Sequence, residues 1–441
     1  MPIQARRILI CTYGTRGDVE PFVALSKKLQ TAGTEVLLAT SERFEAFARE
    51  NGVPFLAMSD ESLAAIESPD GRAMLEGGAG LRRRIAAGIR LARRSGPINA
   101  ALMAEVWSAA QNFAPDAIVY HSKLFAAPHV AEKLGVPAFL GALQPMLVPT
   151  SVFPAMGIPP LEFPGYNRLS YKLVNASFGA LRKSVNRFRE ETLGLRPIKS
   201  ARVVPFPPGA GTIPVLHAHG SAVLPRPRDW PEHAHVTGYW RLAPAADFTP
   251  PAELATFLDS GPAPVFVGFG SMTSMNPRAL GTLVAGALRQ AGQRGVVARG
   301  WAELELEGGD DVIAIPPVPY SWLFPRMAAV VHHGGAGTTA EGFHAGVPTL
   351  ICPFIGDQPG WARLSVELGV GAQPVKRSRL TQDRLAAAIT EVTGNPGLRE
   401  NAALLAARLA EEDGVSNAVD IILAHRNNSH SIVAGSFPEM S

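Results

Sequence analysis

The stretch His332-His333-Gly334-Gly335-Ala336-Gly337-Thr338-Thr339-Ala340-Glu341 constrains the fold more than any other. It follows a short apolar run, Ala328 to Val331, and leads into a helical pattern that ends near Gly346. A short apolar run, then glycines, then helical periodicity reads as strand, tight turn and helix. The first N–H groups of such a helix lack intrahelical partners and the helix dipole is positive there. The glycines also let an anion approach the main chain. The turn is either an anion cradle or a plain connection of an α/β fold, and glycines alone do not decide between them.

The same alternation runs through the whole chain. Strands are expected at Arg7–Tyr13, Thr34–Ala39, Pro54–Met58, Pro115–Tyr120, Val136–Leu143, Ile213–His217 and Val236–Tyr239. Gly14 to Pro21 opens a helix that runs to about Ala32, Leu81 to Arg94 is a basic helical pattern, and Tyr166 to Leu193 is helical. Leu242 to Pro251 has linker composition. A second series then starts, with strands at Val265–Phe269, Gly295–Arg299, Val312–Ile315 and Thr349–Cys352 besides the opening one. Its helices are expected at Asn276–Gln290, from Asp357 to about Leu368, over Thr381–Glu412 and over Asn417–His425. Strands that alternate with helices predict parallel sheets. The fold class is α/β, in two Rossmann-like domains: 1–241, a linker at 242–252, then 253–425, with a polar tail at 426–441. Ligands of such sheets collect at the carboxyl ends of the strands, so the expected site is the cleft between the halves.

Bulk properties narrow the function. With 46% hydrophobic and 18% charged residues the chain is globular rather than disordered. A net charge of +3, dispersed along the chain, gives no footprint for nucleic acid. Cys11 and Cys352 sit in apolar runs of opposite halves, so no disulfide is expected and a reducing, cytoplasmic setting fits. The apolar part of Met1–Tyr13 stops at Gly14, short of a signal segment or of the ~20 residues of a membrane span. Gly14-x-x-Gly17 lacks the full dinucleotide fingerprint. The flanks of Arg16-Gly17-Asp18 place it in a strand-to-helix turn, not in an adhesion loop. His217-Ala218-His219 and His233-Ala234-His235 alternate like zinc ligands. They have no cysteine or acidic partner at metal-site spacing and read as strand-end histidines.

Four stretches carry a resemblance. They are Gly14 to Pro21; Val267-Gly268-Phe269-Gly270-Ser271-Met272; Trp322-Leu323-Phe324-Pro325 running into His332 to Thr339; and Ala345-Gly346-Val347-Pro348 with Pro353-Phe354 and Gly356-Asp357-Gln358-Pro359. Together they resemble the family-1-type inverting glycosyltransferases of the GT-B fold. The likeness is strongest to the sterol glucosyltransferases and to bacterial enzymes that decorate antibiotic aglycones. It is weakest from Ser59 to Met103. It implies transfer of a hexose from a nucleotide diphosphate sugar, UDP-glucose ahead of a dTDP-sugar, to a lipophilic hydroxyl acceptor. Asp310-Asp311 is adjacent rather than spaced as Asp-x-Asp at a strand end, so no metal or other cofactor is expected. A nucleotide-sugar epimerase of the same fold and a non-catalytic nucleotide-binding module are the competing classes.

Residue roles follow from the resemblance. Glycosyl transfer to an alcohol needs a base at the acceptor hydroxyl, and the family places it at Asp18; His121, ending a strand of the same half, is the second candidate. By spacing alone Asp18 also suits a helix N-cap, with Pro21 in the first turn. Thr15, Arg16, Gly17, Ser271, His333, Gly335, Gly337, Thr338 and Thr339 are assigned to the donor and its diphosphate. Glu341 either takes the ribose hydroxyls or closes a capping box with Thr338. Asp357 and Gln358 read sugar hydroxyls, unless Asp357 is simply an N-cap. Arg299, Trp301, Val318 and Pro319 form the base pocket, where Pro316-Pro317-Val318-Pro319 replaces the stacking tryptophan of plant relatives. The proline-rich apolar loop from Gln144 to Pro164 lines the acceptor site through Gln144, Met146, Phe153 and Met156. Leu81–Arg94 is either a weak membrane-surface contact or a solvated flank.

Overall fold

The computed structural model describes residues 6–68, 81–201, 204–243, 248–270, 277–299 and 311–433. The first half comprises β1 (Arg7–Cys11), α1 (Arg16–Thr31), β2 (Glu35–Ser41), α2 (Glu45–Glu50), β3 (Phe55–Met58), α3 (Glu61–Glu67), α4 (Leu81–Phe113), β4 (Ala117–His121), α5 (Ala127–Leu134), β5 (Ala138–Ala142), α6 (Tyr166–Ser177), α7 (Arg182–Arg187), β6 (Val215–His217) and β7 (Ala234–Val236). The second comprises α8 (Ala252–Asp259), β8 (Val265–Gly268), α9 (Pro277–Gln290), β9 (Gly295–Ala298), β10 (Val312–Ile315), α10 (Tyr320–Leu323), β11 (Ala329–His332), α11 (Ala336–Ala345), β12 (Thr349–Ile351), α12 (Gln358–Glu367), α13 (Gln382–Gly394), α14 (Pro396–Ala410) and α15 (Gly414–Val433).

Two sheets result, in the orders β3-β2-β1-β4-β5-β6-β7 and β10-β9-β8-β11-β12. Among the described residues every strand pair is parallel. Helices cover both faces, which is why β4, β5, β8 and β11 are buried along their whole length and read as unbroken apolar runs. In each sheet the order turns back once, between β1 and β4 and between β8 and β11. Such a reversal opens a crevice at the carboxyl edge of the sheet. The turns after β1, β4, β8 and β11 therefore surround the two crevices.

The structure differs from the sequence expectation where tertiary contacts override local pattern. The helix expected from Tyr166 to Leu193 is interrupted by a 3-10 turn at Phe178–Ala180 and ends in a π turn at Phe188–Thr192. The π turn carries Arg189 inward to a bidentate pair with Glu132, 2.6 and 3.0 Å, and to Arg196 O at 2.8 Å. The expected strand at Val236–Tyr239 is instead Ala234–Val236, set by its register with Val215–His217. The stretch from Thr381 to Glu412 breaks at Asn395, whose side chain accepts from Gly397 N–H ahead of Pro396. Leu81–Arg94 forms the start of α4, whose later residues Leu102, Val106 and Ala110 enter the core.

Residues 414–425, read from sequence with the second half, return to the first. Val415, Ala418, Val419 and Ile422 of α15 share one cluster with Ile8, Ile10, Val19, Phe22 and Trp240. The crossing needs two glycines: a Cβ on Gly414 would lie 2.3 Å from the carbonyl carbon of Gly238. Linker residues 244–247 and tail residues 434–441 lie outside the described residues. Among the described residues no helix is long and apolar enough to cross a membrane.

The Arg189–Glu132 pair is almost fully buried, with side-chain exposures of 3% and 12%. Arg189→Ala leaves a buried carboxylate without its partner, and chemical denaturation is expected to show a loss of ~3–5 kcal/mol.

Candidate functional site across the cleft

The first half contributes charge. Thr15 is the N-cap of α1, so Asp18 is the third helical residue and not the cap. Asp18 is only 6% exposed. Its Oδ2 accepts from Thr15 N–H at 2.7 Å, Thr15 Oγ1 at 3.1 Å and Lys123 Nζ at 2.7 Å. Its Oδ1 lies 3.8 Å from Nε2 of His121, the last residue of β4. Burial pushes the Asp18 pKa up, but Lys123, His121 and the Thr15 N–H outweigh it and hold the carboxyl below its usual range. His121 is fully buried; burial lowers its pKa to about 4 against the pull of Asp18, so its ring is neutral near neutrality. Only glycine fits at position 14, where φ is +143°. A Cβ there would stand 2.2 Å from Asp18 Oδ2 and 2.8 Å from Lys123 Nζ.

The second half contributes donors. Gly335, with φ −61° and ψ 142°, is the N-cap of α11. Glycines at 334 and 335 let the chain turn tightly: Cβ atoms there would meet Ile351 at 2.6 Å and the His333 ring at 2.7 Å. The N–H groups of Ala336, Gly337 and Thr338 open the helix without intrahelical partners. Thr339 Oγ1 donates to Gly335 O at 2.9 Å, so its hydroxyl hydrogen is spent on its own helix. Thr338, half-buried in the first turn, stands beside the glycine turn. His332 Nδ1 accepts from Gly334 N–H at 3.0 Å and fixes the turn. Burial lowers His332 to about 3 and His333 to about 4, so both rings are neutral.

Asp357 is the N-cap residue of α12, yet its side chain does not cap. It accepts from Trp361 Nε1 at 2.8 Å, and burial raises its pKa. Gln358 Oε1 accepts from Phe354 and Ile355 N–H at 2.7 and 3.0 Å, which leaves its NH2 group for a ligand. Glu341 forms no capping box, since the cap is Gly335. Its carboxylate takes a bidentate pair from Arg241, 2.8 and 2.9 Å.

The two halves touch here. A Cβ on Gly337 would lie 3.8 Å from Gly17 Cα, so the starts of α11 and α1 face each other. Arg16 itself turns aside, to Glu20 at 2.7 Å and over the Phe47 ring at 4.5 Å. Met156 packs on Gly360, where a Cβ would meet its sulfur at 2.0 Å, and shares a cluster with Phe343, Ile351 and Trp361. Met156 thus joins the halves rather than facing open space. Met146 is partly buried against the same cluster, and Phe153 meets Trp230 edge-on at 6.2 Å. Gln144 is half-buried after β5. Arg299 is exposed at the end of β9, Val318 packs beside Phe324, and Pro319 caps α10. Ser271 and Trp301 lie outside the described residues. His217 ends β6 stacked on Trp230 at 4.2 Å, and among the described residues no three metal-binding side chains cluster.

This arrangement has counterparts. Residues 8–152 match the glycosyltransferase family 28 N-terminal domain, and residues 307–423 match the erythromycin biosynthesis protein CIII-like C-terminal domain. The chain is 32% identical to sterol 3-beta-glucosyltransferase UGT80A2 of Arabidopsis thaliana, over 100% of its own length and 68% of that protein's. The chain belongs to the family-1-type glycosyltransferases of the GT-B fold. Solved structures share the fold: the glycotransferase of kitacinnamycin, TM-score 0.68 at 20% identity, covers 96% of this chain and 99% of its own. The glycosyltransferase VinC, in complex with DTDP, has TM-score 0.65 at 18% identity and covers 96% and 100%.

Two charged residues of this glycosyltransferase escaped the sequence reading. Lys123 was detectable only as a lone lysine two residues past a strand that neighbours β1. Arg241 sits in the linker approach, with no local pattern tying it to Glu341.

The glycine at 14 is the sharpest local requirement. Gly14→Ala is expected to displace Asp18 or Lys123, and a misplacement of that size costs ~10²-fold in transfer rate. Initial rates, with the melting temperature as a folding control, check this.

Proposed function

We propose that this glycosyltransferase moves a hexose from a nucleotide diphosphate sugar, UDP-glucose first, to a hydroxyl of a lipophilic acceptor such as a sterol or natural-product aglycone. One observation carries the reading. A buried, ionised carboxylate at the crevice of the first sheet faces, across the cleft, the open N-terminus of α11 at the crevice of the second. A base and an anion cradle so opposed suit an in-line displacement.

The acceptor hydroxyl gives its proton to Asp18. Its oxygen forms a bond to the anomeric carbon as the bond from that carbon to the phosphate oxygen breaks. The electron pair leaves with the nucleoside diphosphate. Its charge is met by the N–H groups of Ala336, Gly337 and Thr338, by the Thr338 hydroxyl and by an N–H of neutral His333. One displacement inverts the anomeric centre. Glu341, held in place by Arg241, takes ribose hydroxyls. Asp357 and the Gln358 NH2 group take sugar hydroxyls.

No metal is invoked. The charge of the leaving group has donors enough, and the nearby carboxylates are already engaged: Asp18 with Lys123, Glu341 with Arg241, Asp357 with Trp361. The resemblance to a sterol 3-beta-glucosyltransferase supports the acceptor class. The apolar loop around Met146 and Phe153 agrees with it.

Because the Asp18 pKa is lowered, the base stays ionised through the neutral range. His121 titrates only near pH 4 and adds no limb above it. The test is Asp18→Asn. Turnover is expected to fall ~10²–10⁴-fold, as for loss of a general base, while UDP-glucose still raises the melting temperature as in the wild type. Near-normal turnover with donor binding intact would move the base to His121.

A further inference from the structure

Asp18 is not alone in the cleft. Lys123 follows β4 by two residues, and its side chain is 51% exposed. Its Nζ lies 2.7 Å from Asp18 Oδ2 and fills the space that Gly14 leaves by having no side chain. The groups facing Asp18 come from three elements. The start of α1 supplies the Thr15 N–H and hydroxyl. The end of β4 and the residues after it supply His121 and Lys123. The loop before α12, in the second half, supplies Asp357, which feels the charges of both Asp18 and Lys123. Arg16 on α1 pairs with Glu20 and lies over the Phe47 ring.

The ammonium of Lys123 therefore contacts Asp18 directly, and Asp357 of the second half lies within reach of both charges. Two carboxylates in a partly desolvated cleft cannot both stay ionised cheaply, and an ammonium against one of them eases the conflict. We infer that Lys123 is a positioning residue for the transfer reaction: its ammonium holds Asp18 ionised and oriented. This rests on the reading of Asp18 as the base. Lys123 touches neither sugar nor acceptor in this role. It weakens Asp18 as a base, yet secures the carboxylate form that a base must have before the acceptor arrives.

The experiment compares Lys123→Met and Lys123→Arg with the wild type, following kcat/KM for the acceptor as pH falls. The wild type is expected to stay flat through the ordinary carboxylate range. Lys123→Met is expected to show an acid limb displaced upward by ~1–3 pH units, the effect of removing one adjacent opposite charge. Lys123→Arg should restore the flat profile. The displaced limb should persist when His121 is also changed to Gln, which assigns it to Asp18. A Lys123→Met profile superimposable on the wild type, with Asp18→Asn inactive, overturns the inference and spares the base. Full turnover by Asp18→Asn overturns both. Where Lys123→Met does not fold, Lys123→Gln removes the same charge with a polar side chain.

Discussion

A parallel sheet whose strand order reverses must leave a gap at its carboxyl edge, and both sheets of this enzyme do so. The rest of the site depends on that constraint. It brings the turns after β1 and β4 together in the first half and those after β8 and β11 together in the second. Gly14, Asp18, His121 and Lys123 meet for this reason, although more than a hundred positions separate the first from the last. The glycine turn after β11 reaches the start of α1 because the two sheets present these edges to each other across the cleft.

The two edges are electrically different. The first holds a desolvated carboxylate stabilised by an ammonium and a backbone N–H. The second holds neutral imidazoles and the positive end of a helix. Contacts between the halves keep this polarity aligned: Arg241 with Glu341, Met156 on Gly360, and Glu412 with Ser221 at 2.6 Å. Helix α15 closes the assembly by returning to the first sheet through the Gly238–Gly414 crossing.

Much of the fold was legible in the sequence, because buried parallel strands write themselves as apolar runs and their turns as glycines. The β1 turn with Asp18, the β11 turn and the Asp357-Gln358 pair could be read without coordinates. What escaped was tertiary. Arg189 looks like any surface arginine of a helix until the π turn buries it against Glu132. The pattern of α15 gives a buried face but not which sheet it covers. Thr338 and Thr339 are equivalent in sequence, and only the helix geometry shows that Thr339 spends its hydroxyl hydrogen on Gly335. Lys123 and Arg241 are single charges far in sequence from the carboxylates they hold.

The central claim is a single displacement between two facing half-sites. The anomeric configuration of the first-formed product tests it most directly, read by proton NMR during turnover of an α-linked UDP-glucose donor with a sterol acceptor. A β-glucoside, formed from the outset, is the predicted result. An α-glucoside would contradict the account, because a single backside displacement at an α-linked donor cannot give it.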